Sequence, residues 1–317
     1  MGKMINLIRN ENMKLSHSIS TWIMMGILIL IIVAVGLISR FTGTQASTTD
    51  WKAEVTTQNE SLKKSLNQPG SVTIVEDSTK KLIKTNEYRL ENNIEPVKAN
   101  SLWGFVETSS AIISLISLFA IILGGKIVAN EFSEGTIKLL LIRPSKRWKI
   151  LLSKYITIMG QTILMLLVLF IVSFVLGGIL FSFKGAATPY IANSGGKITE
   201  INMVAHIVQI YGLQCVNLVM MVTLAFMISS VFRNSAMAIG IGVFLLTIVQ
   251  PIIFFLSLKF DWVKFILFAN TDLNQYINGE PLIEGMTMTF SIIVLVVYFI
   301  IFNTISYLGF TKRDIVA

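Results

Sequence analysis

Charge is scarce in this chain. Of 317 residues, 14% are Asp, Glu, Lys or Arg, while 53% are hydrophobic. A soluble domain carries about 25% charged residues, so a soluble enzyme of ordinary surface is excluded. The same apolar content excludes intrinsic disorder. Cysteine occurs once, as Cys215, which rules out a disulfide framework and a cysteine-cluster zinc site. The only histidines, His17 and His206, lie far apart in the sequence and form no H-E-x-x-H pair, so no metal site is expected. Gly125-Lys126 and Gly196-Lys197 each lack the earlier glycine of a phosphate-cradling G-x-x-x-x-G-K-[ST] loop. No G-x-S-x-G elbow is present. The apolar stretches contain no aspartate for an intramembrane aspartyl protease. No catalytic residue and no bound cofactor is therefore expected.

What the chain has is length without charge, at a mean hydropathy of +0.71. About 20 apolar residues in a helix cross a bilayer core. Stretches poor in Asp, Glu, Lys and Arg place spans at residues 20–40, 107–128, 154–183, 202–232, 234–258 and 286–311. The first is too long for a signal-peptide core, and Thr44-Gln45-Ala46 is a poor cleavage site, so it reads as a retained span. The net charge of +8 fits basic inner loops better than a nucleic-acid surface. With the N-terminus inside, the inner segments hold thirteen Lys and Arg, against four in the two short outer loops. The long segment after span one is balanced in charge and weighs little in this rule. Both termini are predicted to be cytoplasmic.

Between the spans, residues 1–19 read as an amphipathic helix at the inner interface. Met4, Leu7, Ile8 and Leu15 share one face, and Glu11 falls on the same side. Residues 41–106 form the only sizeable soluble segment. Trp51, Val55, Leu62 and Leu66 share a helical face, Gln68-Pro69-Gly70 is a turn, Val72–Val75 is a short β-like run, and 77–93 is a second charged helix. Too few large apolar residues occur here for a core. A helical hairpin is expected, leaning on a partner copy or on the outer mouth of the spans, either as a solvated loop or as a cap over a path. In the outer segment 259–284, Trp262–Phe268 is apolar but too short to cross. It is either a re-entrant helix or an interfacial aromatic belt.

The inner segment 129–153 carries most information. Glu131-Phe132-x-x-Gly135-Thr136 is followed by Arg143-Pro144-Ser145-x-Arg147. Pro144 stops a first short helix, and Ser145 suits the N-cap of the next. These residues resemble the loop of ABC-2-type transporter permeases, a family that includes bacterial bacteriocin, bacitracin and amphipathic-peptide exporters. The six-span topology and the interfacial N-terminal helix match the family as well. The resemblance agrees with an all-α membrane protein of six transmembrane helices, to which the reading of 41–106 adds a small extracellular helical hairpin between the first two. It implies that Glu131, Phe132, Glu134, Gly135 and Thr136 face or shape a contact with a separate ATP-binding subunit, flanked by Arg143 and Arg147. Two copies of that subunit, which bind ATP and Mg, and a second identical or related permease are the implied partners, besides membrane lipid. No nucleic acid is expected. The implied function is ATP-driven export of an amphipathic peptide, antibiotic or lipid-like compound across a bacterial plasma membrane. The segment 41–106 departs from the smallest family members, whose loop there is short.

Polar residues inside the spans are neutral, which disfavours proton-coupled transport. Ser110, Ser114 and Ser117 form a stripe that either packs helices or lines a passage. Gln214, Asn217 and Gln250 are further candidates for a pathway or a dimer interface. Ala236-x-x-x-Gly240 and Ala238-x-x-x-Gly242 favour close helix contact, and Gln250-Pro251 is predicted to kink span five and free the Thr247 carbonyl. The competing reading, from another class, is a membrane sensor or scaffold whose outer hairpin binds a ligand and whose inner loop docks a regulator.

Overall fold

The computed structural model describes residues 2–43, 50–66, 73–133, 135, 146–183, 188–194, 197–277, 279 and 281–311. The helices are α1 (Gly2–Ser16), α2 (Ile19–Gly43), α3 (Trp51–Leu66), α4 (Thr73–Asn92), α5 (Leu102–Ser109), α6 (Ile113–Ser133) and α7 (Arg147–Phe181). A two-stranded hairpin, β1 (Tyr190–Ser194) and β2 (Lys197–Ile201), precedes α8 (Met203–Phe232), α9 (Ser235–Phe244), α10 (Gln250–Ser257), α11 (Leu267–Asn270) and α12 (Met288–Thr311). Among the described residues, six helical stretches are long and apolar enough to cross a membrane: α2, α5–α6, α7, α8, α9–α10 and α12.

Spans two and four are the most enclosed, each 61% buried over its most apolar window, against 11% for span five. Small residues explain this, because they let two backbones approach. A Cβ on Gly124 would sit 3.0 Å from the Ala225 methyl, and one on Gly242 would sit 2.5 Å from a methyl of Ile121. Ser229 of α8 donates to the Gly125 carbonyl at 2.8 Å and accepts the Ala129 amide at 3.1 Å. Its hydroxyl thus bridges two groups that face each other in the ladder of α6, stitching the central pair together. Of the two small-residue motifs in span five, only Ala238 and Gly242 face this core. Ala236 and Gly240 are exposed, and nothing lies within 4 Å of a Cβ on Gly240.

Two apolar cores flank the central pair. One joins Leu28 and Ile32 of α2 to Phe105 of α5 and to Met165 and Leu169 of α7. The other joins Met221 and Ile228 of α8 to Ile253, Leu267 and Phe302. Outward faces of α2, α7, α10 and α12 leave large apolar residues such as Leu30, Ile171, Phe255 and Ile300 exposed. A bilayer is the solvent for which such a surface is stable.

The structure departs from the sequence expectations at four places. The chain is not wholly helical, because residues 190–201 form the β-hairpin. The β-like run is helical from Thr73 onward as part of α4. Span two, the shortest charge-free run, belongs to a 32-residue helical stretch that starts at Leu102 and passes through a 3-10 turn at Ser110–Ile112. The disturbance at Pro251 takes the form of a π-helical turn over Leu245–Val249. Proline offers the Thr247 carbonyl no amide, and a π turn is a known way for a helix to absorb such a break.

The helices α3 and α4 lie side by side. Asn86, buried, donates to Asn59 at 3.0 Å, and Lys63 pairs with Glu87 at 2.8 Å. This pair leans on other parts of the same chain. Tyr88 donates to Glu200 of β2, the amide nitrogen of Asn193 donates to the Lys81 carbonyl, and Lys81 donates to the Gly279 carbonyl.

Candidate functional site

The end of α6 is where the loop-forming residues meet the bundle. The face of α1 that holds Met4, Leu7, Ile8 and Leu15 also carries Glu11, which is 4% exposed. A carboxylate so placed requires a partner, and it finds Lys154, two turns inside α7. Lys154 is 1% exposed and donates to Glu11 at 2.9 Å and, through a shorter contact, to Glu131. Lys14 closes the cluster at 3.4 Å from Glu11 and 3.3 Å from Glu131. Two lysines and two glutamates balance in charge and join α1, α6 and α7. Burial alone lowers the affinity of Lys14 for its proton, but Glu11 and Glu131 outweigh it and hold the pKa above the ordinary lysine value.

The resemblance implies that Glu131 faces or shapes a docking contact. Its carboxylate is turned inward and engaged by Lys154 and Lys14, so it shapes the end of α6 from within. Phe132 is also held inside the chain. Its ring meets Phe310 edge-on at 6.3 Å, and the Arg233 guanidinium lies 4.5 Å from its centre. Arg233 caps α8 with a left-handed backbone, φ 55°, and reaches the Gly309 carbonyl at 3.5 Å. The end of α6 is thereby tied to α1, α7, α8 and α12.

Beyond it, Gly135 is exposed with φ +70° and open space around a Cβ. The requirement for glycine there is conformational rather than steric. Arg147, at the start of α7, donates to the Thr311 carbonyl at 3.3 Å. Glu134, Thr136 and Arg143 lie outside the described residues. Lys154 and Glu11 were missed as site residues. Their signal was a glutamate on the apolar face of one helix and a lysine heading a long apolar run.

The span residues do not converge. Ser110 lies in the 3-10 turn, Ser114 is exposed and donates to Ala111, and Ser117 is buried and donates to Ile113. Gln214 and Asn217 are half-buried on α8, and Gln250 is exposed. None of the six lines either of two cavities in the described residues. One, of about 440 Å³, lies between α7, α8 and α12 among Leu151, Tyr155, Phe226 and Tyr307. The other, of about 320 Å³, lies between α4 and β1. Next to the second, His206 stacks on Tyr190 with ring centres 3.4 Å apart and approaches Glu107 at 3.5 Å.

Among the described residues no group of three or more His, Cys, Asp or Glu is arranged to hold a metal ion. Residues 72–316 match a family described as "Protein of unknown function (DUF2705)". The chain belongs to this family. It is similar to the protein named "Uncharacterized protein YhcI" of Bacillus subtilis (strain 168), with 44% identity over 98% of this chain and 99% of that one. It is also similar to "Uncharacterized membrane protein YdbK" of the same organism, with 35% identity over 67% of this chain and 82% of that one. Six apolar helices and a relative named a membrane protein together make this family member a multi-pass membrane protein.

Proposed function

We propose that the chain is the membrane subunit of an ATP-driven exporter of the ABC-2 type, powered by a separate ATPase. The observation that carries the reading is the anchored end of α6. A lever that transmits force from a loop must be stiff where it enters the bundle. Here Glu131 and Phe132 are fixed by the Lys154 cluster and by Arg233 and Phe310, immediately before the loop whose residues resemble a coupling segment. Both termini and this loop are placed in the cytoplasm, α3 and α4 outside, and the membrane is the bacterial plasma membrane. Two ATPase copies dock on the loops of two permease chains. Closure of the ATPases on ATP pushes the end of α6, and α1 and α7 follow because the buried ion cluster binds them to it. The predominantly apolar spans and the apolar cavity beside Tyr155 suit an amphipathic peptide, antibiotic or lipid-like cargo.

The polar cavity against α4 favours a second reading, a membrane sensor with a ligand site outside and a docking loop inside. The identity of the inner partner separates the two. Affinity purification of the tagged chain from its host in mild detergent, followed by mass spectrometry, is expected to recover an ATP-binding protein in stoichiometric amount. Recovery of a kinase or response protein instead supports the sensor.

A further inference from the structure

The cavity between α7, α8 and α12 is a groove with an apolar floor and a cationic end. Trp148, Leu151, Leu152 and Tyr155 recur at helical spacing and form its wall on α7, and Ser306 and Tyr307 of α12 form the other. Leu151 and Phe226 are buried at its floor, whereas Trp148, Leu152 and Tyr307 are 42%, 39% and 47% exposed. The groove therefore opens outward, between two helices whose neighbouring outward residues, such as Ile156 and Ile300, are exposed and apolar. Its volume of about 440 Å³ is within the range of small-ligand sites. The charges lie at one end. Arg147 heads α7 beside Trp148, and its guanidinium donates to the Thr311 carbonyl of α12 at 3.3 Å, so it bridges the two helices that wall the groove. The Lys149 ammonium lies 5.6 Å from the centre of the Trp148 ring, and Lys146 is exposed just before the helix. Among the described residues no carboxylate pairs with any of these three cations, and Glu11 and Glu131 are taken by Lys14 and Lys154. Tryptophan and tyrosine favour the membrane–water interface, with the ring at headgroup level. Trp148 and Tyr307 thus set the depth, with the cations at the level of lipid phosphates and the apolar floor at the level of the chains.

We propose that this groove holds one anionic glycerophospholipid, with its phosphate on Lys146, Arg147 and Lys149 and one acyl chain along Leu151, Leu152 and Tyr155. Charge complementarity selects the occupant. Basic sites between membrane helices suit anionic headgroups, while a zwitterionic lipid brings the same chain but adds its own cation to the three already there. The site is independent of the ATPase reading, since it requires only that the chain lies in a bilayer.

The test is quenching of tryptophan fluorescence in the full-length protein, reconstituted in phosphatidylcholine vesicles. One arm adds phosphatidylglycerol with brominated chains, the other phosphatidylcholine with the same chains. The difference between wild type and Trp148→Phe gives the share of Trp148. Phosphatidylglycerol is expected to quench Trp148 at a mole fraction about tenfold lower than phosphatidylcholine does. Replacing Lys146, Arg147 and Lys149 together by Gln is expected to erase that preference. Two variants fill the groove and keep its cations. Ser306→Leu adds bulk at a buried position whose hydroxyl makes no hydrogen bond among the described residues, and Leu152→Phe adds it at the exposed rim. Each, when its thermal melting is unchanged, is expected to lower quenching by phosphatidylglycerol to the level of phosphatidylcholine. Equal quenching by the two lipids in wild type would overturn the proposal. So would no quenching of Trp148 by either, the result if a second copy of the chain covers this face. A preference kept in a folded, filled variant would reduce the effect to attraction by surface charge and overturn the groove. A preference abolished by millimolar inorganic phosphate at constant ionic strength would assign the cations to a free anion and overturn it as well. Recovery of the ATPase is scored separately, so a failed groove and a failed transporter reading remain distinguishable.

Discussion

Lys154 concentrates the energetics of the end of the bundle where α1, α6 and α7 meet. Its side chain is 1% exposed and neutralised by two carboxylates. Removing one member of a buried ion pair strands the other, at about 3–5 kcal/mol. Lys154→Met is therefore expected to lower the melting temperature of the detergent-solubilised protein sharply. Combining it with Glu11→Met should recover part of the loss, because the stranded charge on α1 goes with it. Lys14 makes longer contacts and its side chain is 52% exposed, so Lys14→Ala should cost at most about 1 kcal/mol. Its raised pKa fixes the sign of the pH effect. The Lys14 contribution is fully present below the unfolded value of 10.5 and fades only as pH rises through the higher folded value. None of this cluster was legible as a cluster in the sequence. Glu11 and Lys154 are separated by 143 positions, and no local pattern encodes a contact of that range. Only the oddity of a glutamate on an apolar helical face was visible.

At the scale of elements, the spans were readable because a bilayer demands about 20 apolar residues in an internally bonded helix. The β-hairpin was not, since five-residue polar strands such as Lys197–Ile201 leave no run and little alternation. Thr73-Ile74-Val75 suggested a strand because branched side chains favour one. The surrounding α4 and its contacts with α3 overrode that local preference. The two span-five motifs read alike in sequence, and the fold separates them. Gly242→Leu should clash with Ile121 and destabilise by about 1–3 kcal/mol, while Gly240→Leu should leave the monomer's melting unchanged. Gly135 belongs to the same scale, as the left-handed residue that follows the end of α6. With φ +70°, Gly135→Ala should cost about 1–2 kcal/mol in backbone conformation and reduce coupled transport more than membrane insertion. Equal transport and coupling in Gly135→Ala and wild type would count against a role in coupling.

Across the whole molecule, one end of the bundle is a network of anchored helix ends and the opposite end carries a polar cavity under α4. Removal of residues 45–100 is expected to leave the ATPase contact intact, because the two regions lie on opposite sides of the proposed membrane. Loss of that contact in a correctly inserted deletion would contradict the topology. Charge asymmetry alone gives this orientation; the contacts show that the ends of α1, α6, α7, α8 and α12 share one side of the bundle. The candidate passage residues were less legible. Helical spacing suggested a stripe of Ser110, Ser114 and Ser117, which in the structure are half-buried, exposed and buried respectively.

The most direct test of the central claim is site-specific photo-crosslinking in intact cells, with the reactive amino acid placed at Thr136 in one strain and at Asn59 in another. The account expects Thr136 to capture a protein that carries a phosphate-binding loop, and Asn59 to capture no cytoplasmic protein. Capture of that ATPase from Asn59, or of a non-ATPase from Thr136, would contradict it.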